Sequence, residues 1–210
     1  MIQLIIYEKK GKNVMKRIVV ATKNQGKLRE IKAILKDTGY EFVSMADIGL
    51  DIDVVEDADT FTGNAEKKAT EIMKACGEIT LADDSGLCVD ALGGAPGVYS
   101  ARYSGEDATD LKNNILLLKN MEGIENRTAK FVCAMVVVFP DGRTISEYGE
   151  FHGTIDFEMK GTGGFGYDVL FYLPEYKMTS AEISAQEKNK ISHRAKALEK
   201  IKEKLGEIDV

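Results

Sequence analysis

Apolar residues recur along this chain with two different periods, and the changes between them lay out strands and helices in turn. Ile18 to Ala21 is an unbroken, mostly β-branched run, the pattern of a short strand buried on both faces, and it stops at the polar turn TKNQGK. Leu28, Ile31, Ile34 and Leu35 then follow at helical spacing, with Arg29, Glu30, Lys32 and Lys36 on the other face, so strand, turn and helix form one βα unit. Residues 41 to 55 read as irregular strand and loop and lead into the acidic run VVEDADTF. A clear amphipathic helix follows, with Ala65, Ala69, Ile72, Met73 and Cys76 on one stripe and Lys68 at its edge. Ile79, Leu81 and Ala82 read as the end of a buried strand, and Leu111, Ile115 and Leu118 as the apolar stripe of a further helix. Residues 128 to 139, TAKFVCAMVVVF, are the longest strand candidate; Pro140-Asp141-Gly142 turns the chain into a strand over Thr144 to Thr154. That hairpin is antiparallel, so the expected sheet is mixed. Tyr167 to Leu173 read as one more strand, and Ser192 caps a last helix whose buried stripe is Ala195, Leu198, Ile201 and Leu205.

Composition narrows the class. With 210 residues, 44% of them hydrophobic, the chain can build one good core or two lobes sharing a sheet. A net charge of −6 argues against gripping a nucleic acid along its backbone. It leaves room for a mononucleotide held by a few Lys and Arg and by a divalent cation on the chain's carboxylates. Cys76, Cys88 and Cys133 are odd in number, far apart and set among apolar neighbours, which reads as reduced core residues and a cytoplasmic location. No apolar run reaches the ~20 residues of a membrane span, and none is a signal-peptide core. Residues 1 to 14 read as an N-terminal extension, and residues 15 to 210 as a single domain of two lobes that begins at Met15, just before KRIVVA.

Three stretches carry the chemistry. In LADDSGLCVDALGGAPGVYSARYSG, residues 81 to 105, an apolar strand runs directly into Asp83, Asp84 and Ser85, where ligands collect in open α/β sheets, and six of the next residues are Gly or Pro, which implies a close approach to the backbone. In TKNQGK, Thr22 and Asn24 can cap free amides and Lys27 lies in the first helical turn, a phosphate cradle without Walker A spacing. The GTGGFG run, residues 161 to 166, matches a dinucleotide fingerprint only formally, because a strand rather than a helix follows it. Its glycines describe a loop flush against a ligand or another backbone, presenting Phe165, Tyr167 and Asp168. Lys188, His193 and Arg194 gather positive or donor groups near a helix N-terminus, the end where such groups are least favoured.

Together T-x-N-x-x-K, ADDSGL…GG-x-PG-x-YSARY and GTGGFGYD…EK…ISHR, in that order, resemble the Ham1/inosine triphosphate pyrophosphatase family, from Met15 to about Leu205. The resemblance implies an elongated, two-lobed α/β fold with a long twisted mixed sheet flanked by helices, a central substrate cleft and a homodimer. It implies hydrolysis of the non-standard purine nucleoside triphosphates ITP, dITP and XTP to monophosphate and pyrophosphate with Mg²⁺. By match, Thr22, Lys23, Asn24, Gln25, Gly26 and Lys27 hold the triphosphate, and Asp84 is the general base and a metal ligand with Asp83 beside it. Ser85 touches substrate, Glu56 supplies another metal carboxylate, and Lys68 faces phosphate. Phe165, Gly166, Tyr167 and Asp168 match the nucleoside loop, and Lys188, His193 and Arg194 the base-binding end. Two positions depart from the pattern: Gly63 stands where the family commonly has Glu, and Val169 where Pro is usual. The residues agree with this chemistry, since Glu56, Asp83 and Asp84 are oxygen donors of the kind Mg²⁺ takes. A pyrimidine triphosphate pyrophosphatase of the Maf type and a nucleotide-sensing module are the competing readings. The EK…ISHR end speaks against the first, and the adjacent carboxylates, which repel a triphosphate unless a metal intervenes, against the second.

Overall fold

The computed structural model describes residues 16–208, so the expected N-terminal extension and the start at Met15 lie outside the described residues. Its strands are β1 (Arg17–Val20), β2 (Glu41–Ser44), β3 (Ile79–Val89), β4 (Thr128–Val138), β5 (Thr144–Ile155), β6 (Phe171–Leu173) and β7 (Met178–Thr179). They form one sheet in the order β2-β1-β3-β4-β5-β6-β7. β1 runs parallel to β2 and β3, and every later pair is antiparallel, so the sheet is mixed as expected.

Helices α1 (Gln25–Leu35) and α5 (His193–Gly206) pack on one face of the sheet, where Leu28, Ile31, Leu198 and Ile201 meet Ile18, Leu81, Met135 and Val137. Helix α2 (Phe61–Cys76) covers the other face, with Ala65, Ala69 and Ile72 against Val19, Ala82 and Val136. A third cluster, around Leu87, Phe131, Phe151 and Phe171, fills the far half of the sheet beside α3 (Asp110–Asn120). β3 and β4 contribute to all three clusters, and β5 to the first and third.

Four features differ from the sequence reading. The strand expected to end at Ala82 continues through both aspartates to Val89, because β4 pairs with it from Thr80 to Val89. β1 is the strand that stops, opposite Leu81. On α3, Leu111 and Ile115 face solvent, and the helix packs through Asn113, Asn114 and Leu117 instead. The two amides win that face because they bond to backbone of neighbouring loops: Asn113 to the Ser100 and Ala101 carbonyls, Asn114 to the Gly166 carbonyl. Only Phe171–Leu173 of the expected strand over Tyr167 to Leu173 is extended; Tyr167 to Leu170 turn, with the Tyr167 carbonyl accepting from the Leu170 and Phe171 amides. Finally, a separate short helix, α4 (Ala185–Ile191), precedes α5, capped by Ser184.

Candidate active site

Successive side chains of a strand point to opposite faces, and this alternation decides what the adjacent aspartates can do. On the α1/α5 face, β3 presents Leu81, Asp83, Ser85 and Leu87 in turn, so Asp83 and Ser85 form a polar gap between two apolar clusters. On the α2 face it presents Ala82, Asp84 and Gly86. Asp83 and Asp84 therefore serve two different neighbourhoods.

Asp83 is 1% exposed and ringed by cations. Its Oδ2 is 3.1 Å from Lys27 Nζ and accepts from Arg194 Nη2 at 3.1 Å and from Ser85 Oγ at 3.3 Å. Burial by itself would raise this carboxyl, but Lys27, Arg194 and Lys68 outweigh it and hold Asp83 well below the usual carboxylate range. Arg194 is equally buried, and besides Asp83 and Ser85 it donates to Glu30 of α1. Burial disfavours its charge, yet Asp83 and Glu30 more than restore it. Glu30 also lies 3.5 Å from Lys188 Nζ. The helical pattern had put Glu30 on the outer face of α1, so this inner ion network is a correction; a charge at the edge of an apolar stripe gave no sign of a partner more than 150 residues away.

Asp84 meets a different environment. Its Oδ2 accepts from the Asn64 side-chain amide at 3.0 Å and its Oδ1 from the Ser85 backbone N–H at 2.9 Å. Burial raises its pKa, Asn64 lowers it, and the nearby Glu56 carboxylate raises it again, with a net shift upward. Glu56 is ion-paired to Lys68, whose charge is disfavoured by burial and held by Asp83, Glu56 and Asp84. Gly86, next on this face, is pressed by the turn that follows β3: a Cβ there would lie 2.4 Å from the Gly97 carbonyl oxygen. The close approach implied by the central glycines is thus, at Gly86, the chain's own backbone.

The N-terminus of α1 forms one wall of the cleft. Asn24 caps it, its Oδ1 accepting from the Gly26 and Lys27 amides at 2.8 and 3.1 Å, and Thr22 Oγ1 accepts from the Asn24 amide. Lys23 turns away to Asp51 and Asp53, and Gln25 is exposed. A second wall is the glycine loop, whose Phe165 ring lies so near the α1 N-terminus that a Cβ on Gly26 would meet it at 3.0 Å. Asp168 organises it, accepting from the Phe165 amide at 2.9 Å, Ser180 Oγ at 2.9 Å and Lys188 Nζ at 2.6 Å. Tyr167 is buried and donates its hydroxyl to the Ser100 carbonyl, and Gly166 is held by Asp110 and Asn114. Phe165 sets its ring toward the cations, 4.8 Å from Lys188 Nζ, and Gly166, Tyr167 and Asp168 line the same cleft through the bonds just described. Gly163 bonds to Ala181, the other backbone against which the loop lies flush.

His193 opens α5 and stacks on Phe131 at 5.0 Å between ring centroids. Burial, then Arg194 and Lys188, push its pKa well below the ordinary value, so the ring is neutral at pH 7. The basic triad at 188, 193 and 194 is buried and not a solvated patch. Asn24, Lys27, Glu56, Asp84, Ser85, Phe165, Lys188, His193 and Arg194 all line one cleft. Lys68 and Asp83 stand immediately behind its wall, bonded to residues that line it.

The sequence pattern of the Ham1 family matches residues 18–204. The chain belongs to the Ham1 family. It is 50% identical over 189 residues to a dITP/XTP pyrophosphatase of Bacillus licheniformis, covering 89% of this chain and 96% of that one. It is 49% identical over 194 residues to the dITP/XTP pyrophosphatase of Clostridium tetani, covering 91% and 96%. In three dimensions it superposes on the Ham1 protein of Staphylococcus aureus with a TM-score of 0.83 at 40% identity, over 92% of this chain and all of that one. A Ham1 protein from Coxiella burnetii gives 0.85 at 38% identity over the same shares. The cleft thus sits in the mixed α/β sheet of a Ham1 fold.

Residues that the family motifs did not single out complete this Ham1 site. Asn64 is the one side-chain donor to Asp84 among the described residues, and Glu30 joins Arg194 to Lys188. Gly63, where the family commonly has Glu, is the third residue of α2 and gives its amide to the Thr60 cap, outside the cleft lining. Val169 lies in the turn after Asp168, its carbonyl accepting from the Lys160 amide. No helix among the described residues is long and apolar enough to cross a membrane.

Proposed function

We propose that this protein hydrolyses non-standard purine nucleoside triphosphates, dITP, ITP and XTP, to the monophosphate and pyrophosphate. The observation that carries the reading is Asp84, a carboxyl raised above its usual range, facing the same cleft as Glu56 and the capped N-terminus of α1. A base must be ionised at working pH and still attract a proton, and burial beside another carboxylate tunes Asp84 in that direction. In this reading Asp84 takes a proton from the water that attacks the α-phosphorus. Lys27 holds non-bridging oxygens beside the capped N-terminus of α1, where its charge and the helix dipole favour an anion.

Glu56 and Asp84 also fit a divalent cation. Both are hard oxygen donors, and their repulsion raises Asp84. Among the described residues no third His, Cys, Asp or Glu completes a protein-only cage, which suits Mg²⁺, an ion that keeps waters and takes oxygens from phosphate. Bound there, the ion would neutralise charge on the phosphates and the departing pyrophosphate. Asp83, expected as a third ligand, faces Lys27 and Arg194 instead, and we assign it the positioning of those cations.

The nucleoside end is proposed at Phe165, Lys188 and His193, with Phe165 stacking the base. Arg194 contributes less to base reading than its place in the motif implied. Four of its five N–H groups bond to Asp83, Ser85 and Glu30 (5 − 4 = 1 left over). We propose a homodimer on family grounds. Pyrophosphate release from dITP, ITP, XTP and dATP, with Mg²⁺ and with excess EDTA, tests the reading. Release from the first three and little from dATP, abolished by EDTA, is expected; equal rates on dATP or full activity in EDTA would overturn it.

A further inference from the structure

Four cationic side chains line the cleft among the described residues: Lys27, Arg102, Lys188 and Arg194. Three are held by carboxylates. Lys27 lies 3.1 Å from Asp83, Lys188 lies 2.6 Å from Asp168, and Arg194 is shared between Asp83 and Glu30. Each of these three charges is therefore already partly neutralised by the protein before any ligand arrives. Arg102 has no carboxylate partner among the described residues. Its side chain makes one hydrogen bond, from Nη2 to the Glu56 backbone carbonyl at 3.0 Å, and rests against the Tyr99 ring with 5.0 Å from guanidinium carbon to centroid. One of five N–H groups is used and four remain (5 − 1 = 4), in the planar fork that suits two phosphate oxygens at once.

Its position selects which phosphates. Arg102 ends the short 3₁₀ segment Gly97–Arg102, whose Gly97 and Ser100 press on Gly86, two residues from Asp84. Its guanidinium is bonded to the backbone of Glu56. The charge therefore lies at the Glu56/Asp84 end of the cleft, whereas Phe165, Lys188 and His193 belong to the glycine loop and the start of α5. We propose that Arg102 binds the outer phosphates of the nucleotide and the pyrophosphate that leaves, a binding role that rests on the pyrophosphatase reading.

The test compares affinities for inorganic pyrophosphate and for inosine monophosphate, by calorimetry with Mg²⁺, in the parent chain, Arg102→Gln and Arg102→Lys. Loss of one charge-assisted phosphate contact should weaken pyrophosphate about tenfold in Arg102→Gln, leave the monophosphate unchanged, and be partly rescued in Arg102→Lys. KM for dITP should rise more than kcat falls. If Arg102 only anchors the Glu56 segment, Arg102→Gln weakens both ligands alike or neither, and Lys gives no rescue; any of these overturns the assignment. Turnover by the parent chain is measured first. A parent that releases no pyrophosphate from dITP overturns the pyrophosphatase reading and this role with it, whereas a parent that does so while Arg102→Gln binds pyrophosphate normally overturns this role alone.

Discussion

Asp83 and Asp84 are neighbours in sequence and occupy two unlike regions of the molecule. On the α1/α5 face, Asp83 is sealed among Lys27, Arg194 and Ser85 and its charge is strongly favoured. On the α2 face, Asp84 has a neutral amide for its side-chain partner and a second carboxylate nearby, and its charge is disfavoured. The comparison teaches that one step along a strand, with its change of face, is enough to turn the same side chain from an anchor into a base. Proton affinity and structural commitment divide between the two faces, and neither residue can do the other's work without moving across the sheet.

The largest effect should come from the α2 face. Asp84→Asn keeps the shape and the Asn64 neighbour while removing the base, so kcat in pyrophosphate release should fall by roughly 10²–10⁴ while the thermal midpoint stays close to the parent. Near-normal turnover in this variant would move the base elsewhere. Asp83→Asn should act mainly on stability: it removes the counter-charge shared by the buried Arg194 and the part-buried Lys27, at a cost of about 3–5 kcal/mol in urea unfolding. The sign of the pH dependence follows from the depressed pKa. The folded value lies below the unfolded one, so the contribution of Asp83 is fully present above about pH 4 and is lost as pH falls further. Asp83→Asn should therefore flatten the acid side of the stability curve. The smallest change is expected from Asn64→Leu. Without its donor, the ionised form of Asp84 loses a hydrogen bond worth about 1.5–3 kcal/mol, which moves the acid limb of kcat/KM upward by roughly one to two pH units.

Much of the fold was legible because its signals are local. The β-branched run at Ile18 to Ala21, the hairpin at Pro140 to Gly142 and the α5 stripe each occupy their expected place. Ser192 caps α5 as read, accepting from the Ala195 amide at 3.2 Å. What was not legible depends on pairing at a distance. Whether β3 stops at Ala82 or runs to Val89 is decided by β4, some 50 residues later. On α3 the apolar Leu111 and Ile115 lost the inner face to two asparagines, because loop carbonyls elsewhere in the chain needed donors. The site divides in the same way. Motif positions supplied nearly all of the cleft-lining polar residues, whereas Glu30 and Asn64 acquire their roles only from partners 164 and 20 residues away.

The contrast between the two aspartates can be measured on the atoms themselves. A ¹³C titration of the aspartate carboxyl carbons, assigned with Asp83→Asn and Asp84→Asn, follows each ionisation separately in the metal-free protein. Asp84 should titrate above the usual aspartate value near 3.9, and Asp83 should remain ionised down to the acid unfolding transition. The opposite order, with Asp83 taking up its proton first as pH falls, would contradict the division of anchor and base between the two faces of β3.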